Sequence, residues 1–194
     1  MEFLIFITNF VTRKMRKTMK IGVFCSANNS IDPDFFHMAE ELGRWAGEVG
    51  HEIVFGGVNQ GLMECVAKAA KEAGGNTVGV VPDIVEKSGR TSRYNDRTIR
   101  CTNLSERKQL MLDESDVFVA LPGGVGTLDE VFTVAASYTI GYHSKRVILY
   151  NMKGFWNGVI SMLDDLQQRG MVRGQWRDYI EVADSLEDIK ARVG

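Results

Sequence analysis

Val117-Phe118-Val119-Ala120-Leu121-Pro122-Gly123-Gly124-Val125-Gly126-Thr127-Leu128-Asp129-Glu130 runs from an unbroken apolar segment of β type, through a glycine-rich turn, into a segment of helical period. An apolar strand followed at once by a helix is half of a βαβ unit, and its lack of alternation implies a strand buried on both faces. At the carboxyl end of such a strand, the exposed N–H groups and dipole of the next helix favour an anion, and the glycines let the backbone approach it with no Cβ in the way. A phosphate is the natural ligand. The turn lacks the Lys of a Walker loop and the spacing of a dinucleotide fingerprint, so it is neither. Thr127-Leu128-Asp129-Glu130 fits two readings: a capping box with Thr127 as cap and Glu130 folded back, or a carboxylate aimed at ribose hydroxyls or an attacking water.

The same alternation extends outward in both directions. Toward the amino terminus, strands are expected at 21–25, 53–55, 77–81 and around Ile99, with helices from Asp32-Pro33 to Val49, from Leu62 to Ala73 and from Leu104 to Glu114. Asp83 to Arg97 reads as a long loop over the strand ends. Toward the carboxyl terminus, a helix from Thr127 to Thr139, a strand at 147–150, a helix from Phe155 to Arg169 and a closing strand and helix between Tyr179 and Val193 complete the pattern. The fold class is α/β, a Rossmann-like doubly wound parallel sheet in three αβα layers.

The 194-residue chain, 44% apolar and 25% charged, has the balance of one ordinary soluble domain, with neither repeat nor linker to divide it. Residues 19–194 are expected to form that domain. Residues 1–18 are read as an extension: a tail, an over-called start or an appended strand. Its apolar run, Phe3 to Ile7, is far short of a membrane span, and Arg13, Lys14, Arg16 and Lys17 lie on the wrong side for a secretory signal. With 23 basic against 25 acidic residues and a formal charge of -2, nothing draws the protein to nucleic acid or a membrane. Cys25, Cys65 and Cys101 are odd in number and widely spaced, and His37, His51 and His143 are scattered. They suggest reduced thiols, a cytoplasmic location and no metal site.

A second glycine turn, Gly56-Gly57-Val58-Asn59-Gln60-Gly61, has the same strand-to-helix context, and Arg107-Lys108 begins the helix before the Val117 strand. Two glycine turns at neighbouring strand ends would wall a cleft for a phosphorylated small molecule, with a cation at its edge.

Leu121 to Glu130, preceded by Glu106-Arg107-Lys108 at matching spacing, resembles the LONELY GUY (LOG) family of nucleoside 5'-monophosphate phosphoribohydrolases, often mislabelled as lysine decarboxylases. The resemblance runs from about Met19 to Val193. It implies hydrolysis of the N-glycosidic bond of AMP or an N6-substituted (cytokinin) AMP to free base and ribose 5-phosphate, without a cofactor, by a homodimer. By resemblance, Arg107 and Glu130 are catalytic, and Lys108, Gly124, Val125, Gly126 and Thr127 bind substrate; Gly123, Gly57 and Ser26, in the strand-end loops, are expected to join them. Non-hydrolytic relatives, the molybdenum-cofactor carriers, share these motifs and offer the alternative of a binding protein. The chain departs from the family's GGG and GLMG at Val58 and Glu64, from a substrate-contacting Glu at Gly89, with Glu86 nearby, and from the plant members' TWAQLG at 136–141. A lysine decarboxylase is disfavoured, since no Lys has a recognisable setting for pyridoxal phosphate.

Overall fold

The computed structural model describes residues 17–194, so the extension read at 1–18 lies almost wholly outside the described residues. Seven strands and seven α-helices follow in order: β1 Lys20–Phe24, α1 Pro33–Val49, β2 Glu52–Phe55, α2 Gly61–Glu72, β3 Asn76–Pro82, α3 Asp83–Lys87, β4 Arg97–Cys101, α4 Leu104–Glu114, β5 Val117–Ala120, α5 Val125–Thr139, β6 Val147–Tyr150, α6 Asn157–Gln168, β7 Ile180–Ala183 and α7 Leu186–Val193. Local chemistry sets several of these boundaries. Asp32 caps α1 by accepting from the Asp34 N–H at 3.0 Å, with Pro33 in its first turn, and Gly50 ends that helix at φ 83°.

All strand pairs are parallel, in the order β4-β3-β2-β1-β5-β6-β7. Winding reverses between β1 and β5, and the loops leaving their carboxyl ends flank the crevice where open α/β sheets bind ligands. One sheet face, with Ile21, Val23, Ile53 and Phe55, packs on Leu42 of α1, Val66 of α2 and Ile189 of α7. The other, with Phe24, Val54, Val78 and Phe118, packs on Met111 of α4, Val131 of α5 and Leu163 of α6. The result is the expected three-layer, Rossmann-like arrangement.

Two expectations need correction. Asp83 to Arg97 is not all loop: 83–87 form α3, and Thr91 then bridges Val58 antiparallel, so this segment straps the second glycine turn. The two glycine turns are also not at adjacent strands, because β1 lies between β2 and β5.

Helices α1 and α2 touch backbone to backbone. A Cβ on Gly43 would stand 2.4 Å from the Val66 carbonyl oxygen, and one on Gly47 2.5 Å from that of Ala70. Neither carbonyl can yield without breaking a helix hydrogen bond, so Gly43→Val is expected to force the helices apart and cost about 2 kcal/mol or more, read as a lowered melting temperature.

Candidate active site

Helix α5 begins at Val125, three residues earlier than the capping box requires, with Gly124 as N-cap and no side-chain cap. Thr127 and Glu130 therefore both lie inside the helix. The Thr127 side chain is buried, packed where a Cβ on Gly123 would come within 2.1 Å of its Oγ1. Glu130 points instead across to α4, and the capping-box reading is overturned.

Helix α4 is capped by Asn103, whose Oδ1 accepts from the Glu106 N–H at 2.9 Å, while Glu106 Oε2 accepts from the Thr102 N–H at 2.7 Å. That cap fixes the next residue, Arg107, above the sheet end. Arg107 Nη1 donates to Glu130 Oε1 at 2.7 Å and its Nε donates to the Val80 carbonyl at 3.3 Å. The side chains are 11% and 5% exposed, so this is a buried ion pair. Burial raises the Glu130 carboxyl above the usual glutamate range, against the opposing pull of the Arg107 guanidinium. Beside it, Lys108 Nζ donates to both carboxylate oxygens of Asp129, at 2.7 and 2.8 Å.

The guanidinium has room because residue 56 has no side chain. A Cβ there would stand 2.0 Å from Arg107 Nη2 and 3.0 Å from Met63 Sδ. The sequence singles out Gly57 for the site and misses Gly56. Gly57, at φ 66°, is pressed against β3, where a Cβ would meet Val81 Cγ2 at 2.4 Å, and its carbonyl accepts from the Ser92 N–H at 2.8 Å.

Ser26 ties three loops together. Its N–H donates to the Pro122 carbonyl at 3.0 Å, its carbonyl accepts from the Leu62 N–H at 2.9 Å, and its Oγ accepts from the Asn28 N–H at 3.0 Å. Cys25, just before it, is fully buried. Burial first, and then the Glu130 carboxylate, push its thiol well above the usual range, so it is not a nucleophile. Glu86 is engaged by Arg100, which donates to it from Nε and Nη2, and Gly89 has open space at φ 67°. Ala136-Ser137 lie nearly two turns beyond Glu130 along α5.

Gly124 and Gly126 differ from the other glycines of the site. A Cβ on either would meet nothing within 4 Å, and Val125 between them is 84% exposed. The protein's own packing does not call for glycine there, whereas close approach of a ligand to an uncapped helix start does. Two open grooves of about 530 and 550 Å³ lie on the β6–β7 side and contain none of these residues. The buried charge pair and the bare helix start mark the chemistry better than groove volume does. Among the described residues, no group of three or more His, Cys, Asp or Glu is placed to hold a metal. No described helix is long and apolar enough to cross a membrane.

Fold and site together define a class: a Rossmann-type α/β protein with an anion-receptive helix start beside a buried Arg–Glu pair. Residues 63–193 match the family model described as "Possible lysine decarboxylase", and the chain belongs to that family, the LOG family of the sequence resemblance. It is 33% identical over 168 residues, 87% of this chain and 89% of the other, to a cytokinin riboside 5'-monophosphate phosphoribohydrolase of Mycobacterium tuberculosis. A probable enzyme of the same name from Oryza sativa subsp. japonica is 32% identical, over 89% of this chain and 75% of its own length. Among solved structures, a molybdenum-cofactor (Moco) carrier protein of Chlamydomonas reinhardtii superposes with a TM-score of 0.69 at 26% identity, covering 92% of this chain and 96% of that one.

Proposed function

We propose that this protein hydrolyses the N-glycosidic bond of purine nucleoside 5'-monophosphates, AMP or cytokinin-type AMP, to free base and ribose 5-phosphate. The observation that carries the reading is the buried Arg107–Glu130 pair standing beside the open start of α5. The curated relatives named as phosphoribohydrolases support it.

In this reading the 5'-phosphate is held by the backbone N–H groups of Val125, Gly126 and Thr127, with Gly123 and Gly124 giving the approach and Lys108 adding charge. The bond from C1' to the base breaks with its electron pair leaving on the base, and positive charge develops on the ribose ring. The Glu130 carboxylate stabilises that charge and takes a proton from the water whose oxygen bonds to C1'; passing that proton on to the departing base nitrogen completes the free base and regenerates the carboxylate. Arg107 keeps Glu130 ionised in its buried position and supplies positive charge for the departing base or for clamping the nucleotide. Gly57 and Ser26 form the wall opposite. We read residues 19–194 as one domain, acting as a cytoplasmic homodimer without a cofactor. The exposed apolar side chains Ile84, Leu104 and Val125, which follow β3, β4 and β5, support a partner surface at that end of the sheet.

Incubating the purified protein with a panel of nucleoside 5'-monophosphates and measuring free base tests the reading; base release from AMP is expected, and no release from any member rejects it. Turnover is expected to fall on the acid side with a midpoint above that of an ordinary glutamate, because burial raises Glu130 and protonation removes the charge the reaction uses. Gly126→Ala separates fold from ligand binding. Inside α5, with free space for a Cβ, it is expected to stabilise the protein by about 0.5–1 kcal/mol while weakening ribose 5-phosphate binding, as read by thermal melting and calorimetric titration.

The likeness to the Moco carrier favours a second reading, retention of a phosphorylated ligand without hydrolysis. Stoichiometric binding of AMP with no base released over hours would support it, and prompt base release would reject it.

A further inference from the structure

Adjacent residues of α4, Arg107 and Lys108, pair with adjacent residues of α5, Glu130 and Asp129. The two pairs differ in burial. In the first the side chains are 11% and 5% exposed, in the second 20% and 50%. Water screens the second pair, so it opens at little cost, whereas opening the first leaves two buried charges unpaired. Asp129 also lies only four residues, about 6 Å of helix rise, past the start of α5. Its carboxylate therefore holds the Lys108 ammonium about one turn of helix from the bare amides while adding a negative charge near where an anion is to bind.

We propose that Asp129 is a displaceable counter-ion for Lys108: it stores the ammonium beside the helix start and yields it to the 5'-phosphate dianion of the ligand, which sets a limit on affinity for phosphorylated ligands and favours release of phosphorylated product. The inference rests on the reading of the site as one for ribose 5-phosphate groups. A second consequence concerns Glu130. The groups facing it are Arg107 and Lys108 from α4, Asp129 on its own helix and the Cys25 thiol just past β1. The two cations ease its ionisation and Asp129 opposes it, so Asp129 keeps Lys108 from acting on Glu130 with its full charge.

The test is calorimetric titration of ribose 5-phosphate and of ribose, at pH 8 where the phosphate is a dianion, into wild type and Asp129→Asn. Asn keeps the shape of a half-exposed side chain, and Asp129→Ser serves if Asn impairs folding. Ribose 5-phosphate is expected to bind the variant about fivefold more tightly, with no gain for ribose, and the gain is expected to vanish in a Lys108→Gln background. The acid limb of AMP turnover is expected to move to lower pH in Asp129→Asn, which a purely structural role would not produce. Equal affinity of wild type and variant for ribose 5-phosphate, or a gain that survives Lys108→Gln, overturns the proposal while leaving the enzymatic reading intact. Binding of ribose 5-phosphate to neither protein, with base still released from AMP, overturns this proposal alone; no base released from any nucleotide rejects the enzymatic reading, and this proposal with it.

Discussion

Glu130→Gln is expected to lower AMP turnover by about a hundredfold to a thousandfold, the range for losing one fixed electrostatic group at a developing charge. The substitution keeps the side chain's shape and leaves a carbonyl oxygen to accept from Arg107 Nη1, now at 2.7 Å from Glu130 Oε1, so the fold is retained while the charge is lost. Ribose 5-phosphate binding should change little, because the phosphate amides lie in the first turn of α5 and Glu130 a turn further on. Arg107, with its side chain 11% exposed, is left without an ionised partner, a loss that costs about 3–5 kcal/mol when the pair is fully buried and no replacement acceptor remains. Arg107→Gln/Glu130→Gln removes both charges and is therefore expected to melt no lower than Glu130→Gln alone while being equally inactive. Base release by Glu130→Gln within a few-fold of wild type, at saturating AMP, would remove Glu130 from the mechanism.

Gly56→Ala is expected to cost about a hundredfold in turnover with little loss of stability. The added Cβ would stand 2.0 Å from Arg107 Nη2, the far end of a flexible side chain, so the guanidinium moves and the backbone does not have to. Its displacement distorts the alignment with Glu130 while the two charges stay in contact, and a shift of about 1 Å in a positioning group is enough to slow chemistry by that factor. An unchanged melting temperature with collapsed kcat is the expected signature. Unchanged kcat would show that Arg107 works from a different position, and a large drop in melting temperature would make Gly56 a packing residue only.

Much of the architecture was legible before any tertiary contact was known, because burial leaves a local imprint. Val117–Ala120 and Val147–Tyr150 are buried at every position, and they read as continuous apolar runs because a parallel strand covered on both faces tolerates nothing else. Asp32-Pro33 and Gly50 marked the ends of α1 through capping chemistry that acts within a few residues. The loop from Pro122 to Gly126, the location of Arg107-Lys108 on a helix start and the family itself were likewise set by residue types and spacing. The helical turn at 83–87 escaped because five residues, none of them buried, carry too little period to detect.

What the sequence by itself determined was therefore an alternating α/β chain with an anion-receptive glycine turn and two basic residues 16 positions before it, a spacing read from Arg107 to Gly123. Only the tertiary structure decided what Glu130 does. On spacing, Thr127 and Glu130 satisfied a capping box, and nothing local excluded it. In the fold, α5 starts three residues earlier, and Glu130 is buried 2.7 Å from a guanidinium 23 residues away in sequence. A carboxylate taken out of water needs a charge partner more than a helix terminus needs a cap, and that partner is supplied by packing α4 against α5. Gly56 is explained in the same way. Its missing side chain serves no turn of its own chain but clears space for Arg107, which only the folded sheet brings to it.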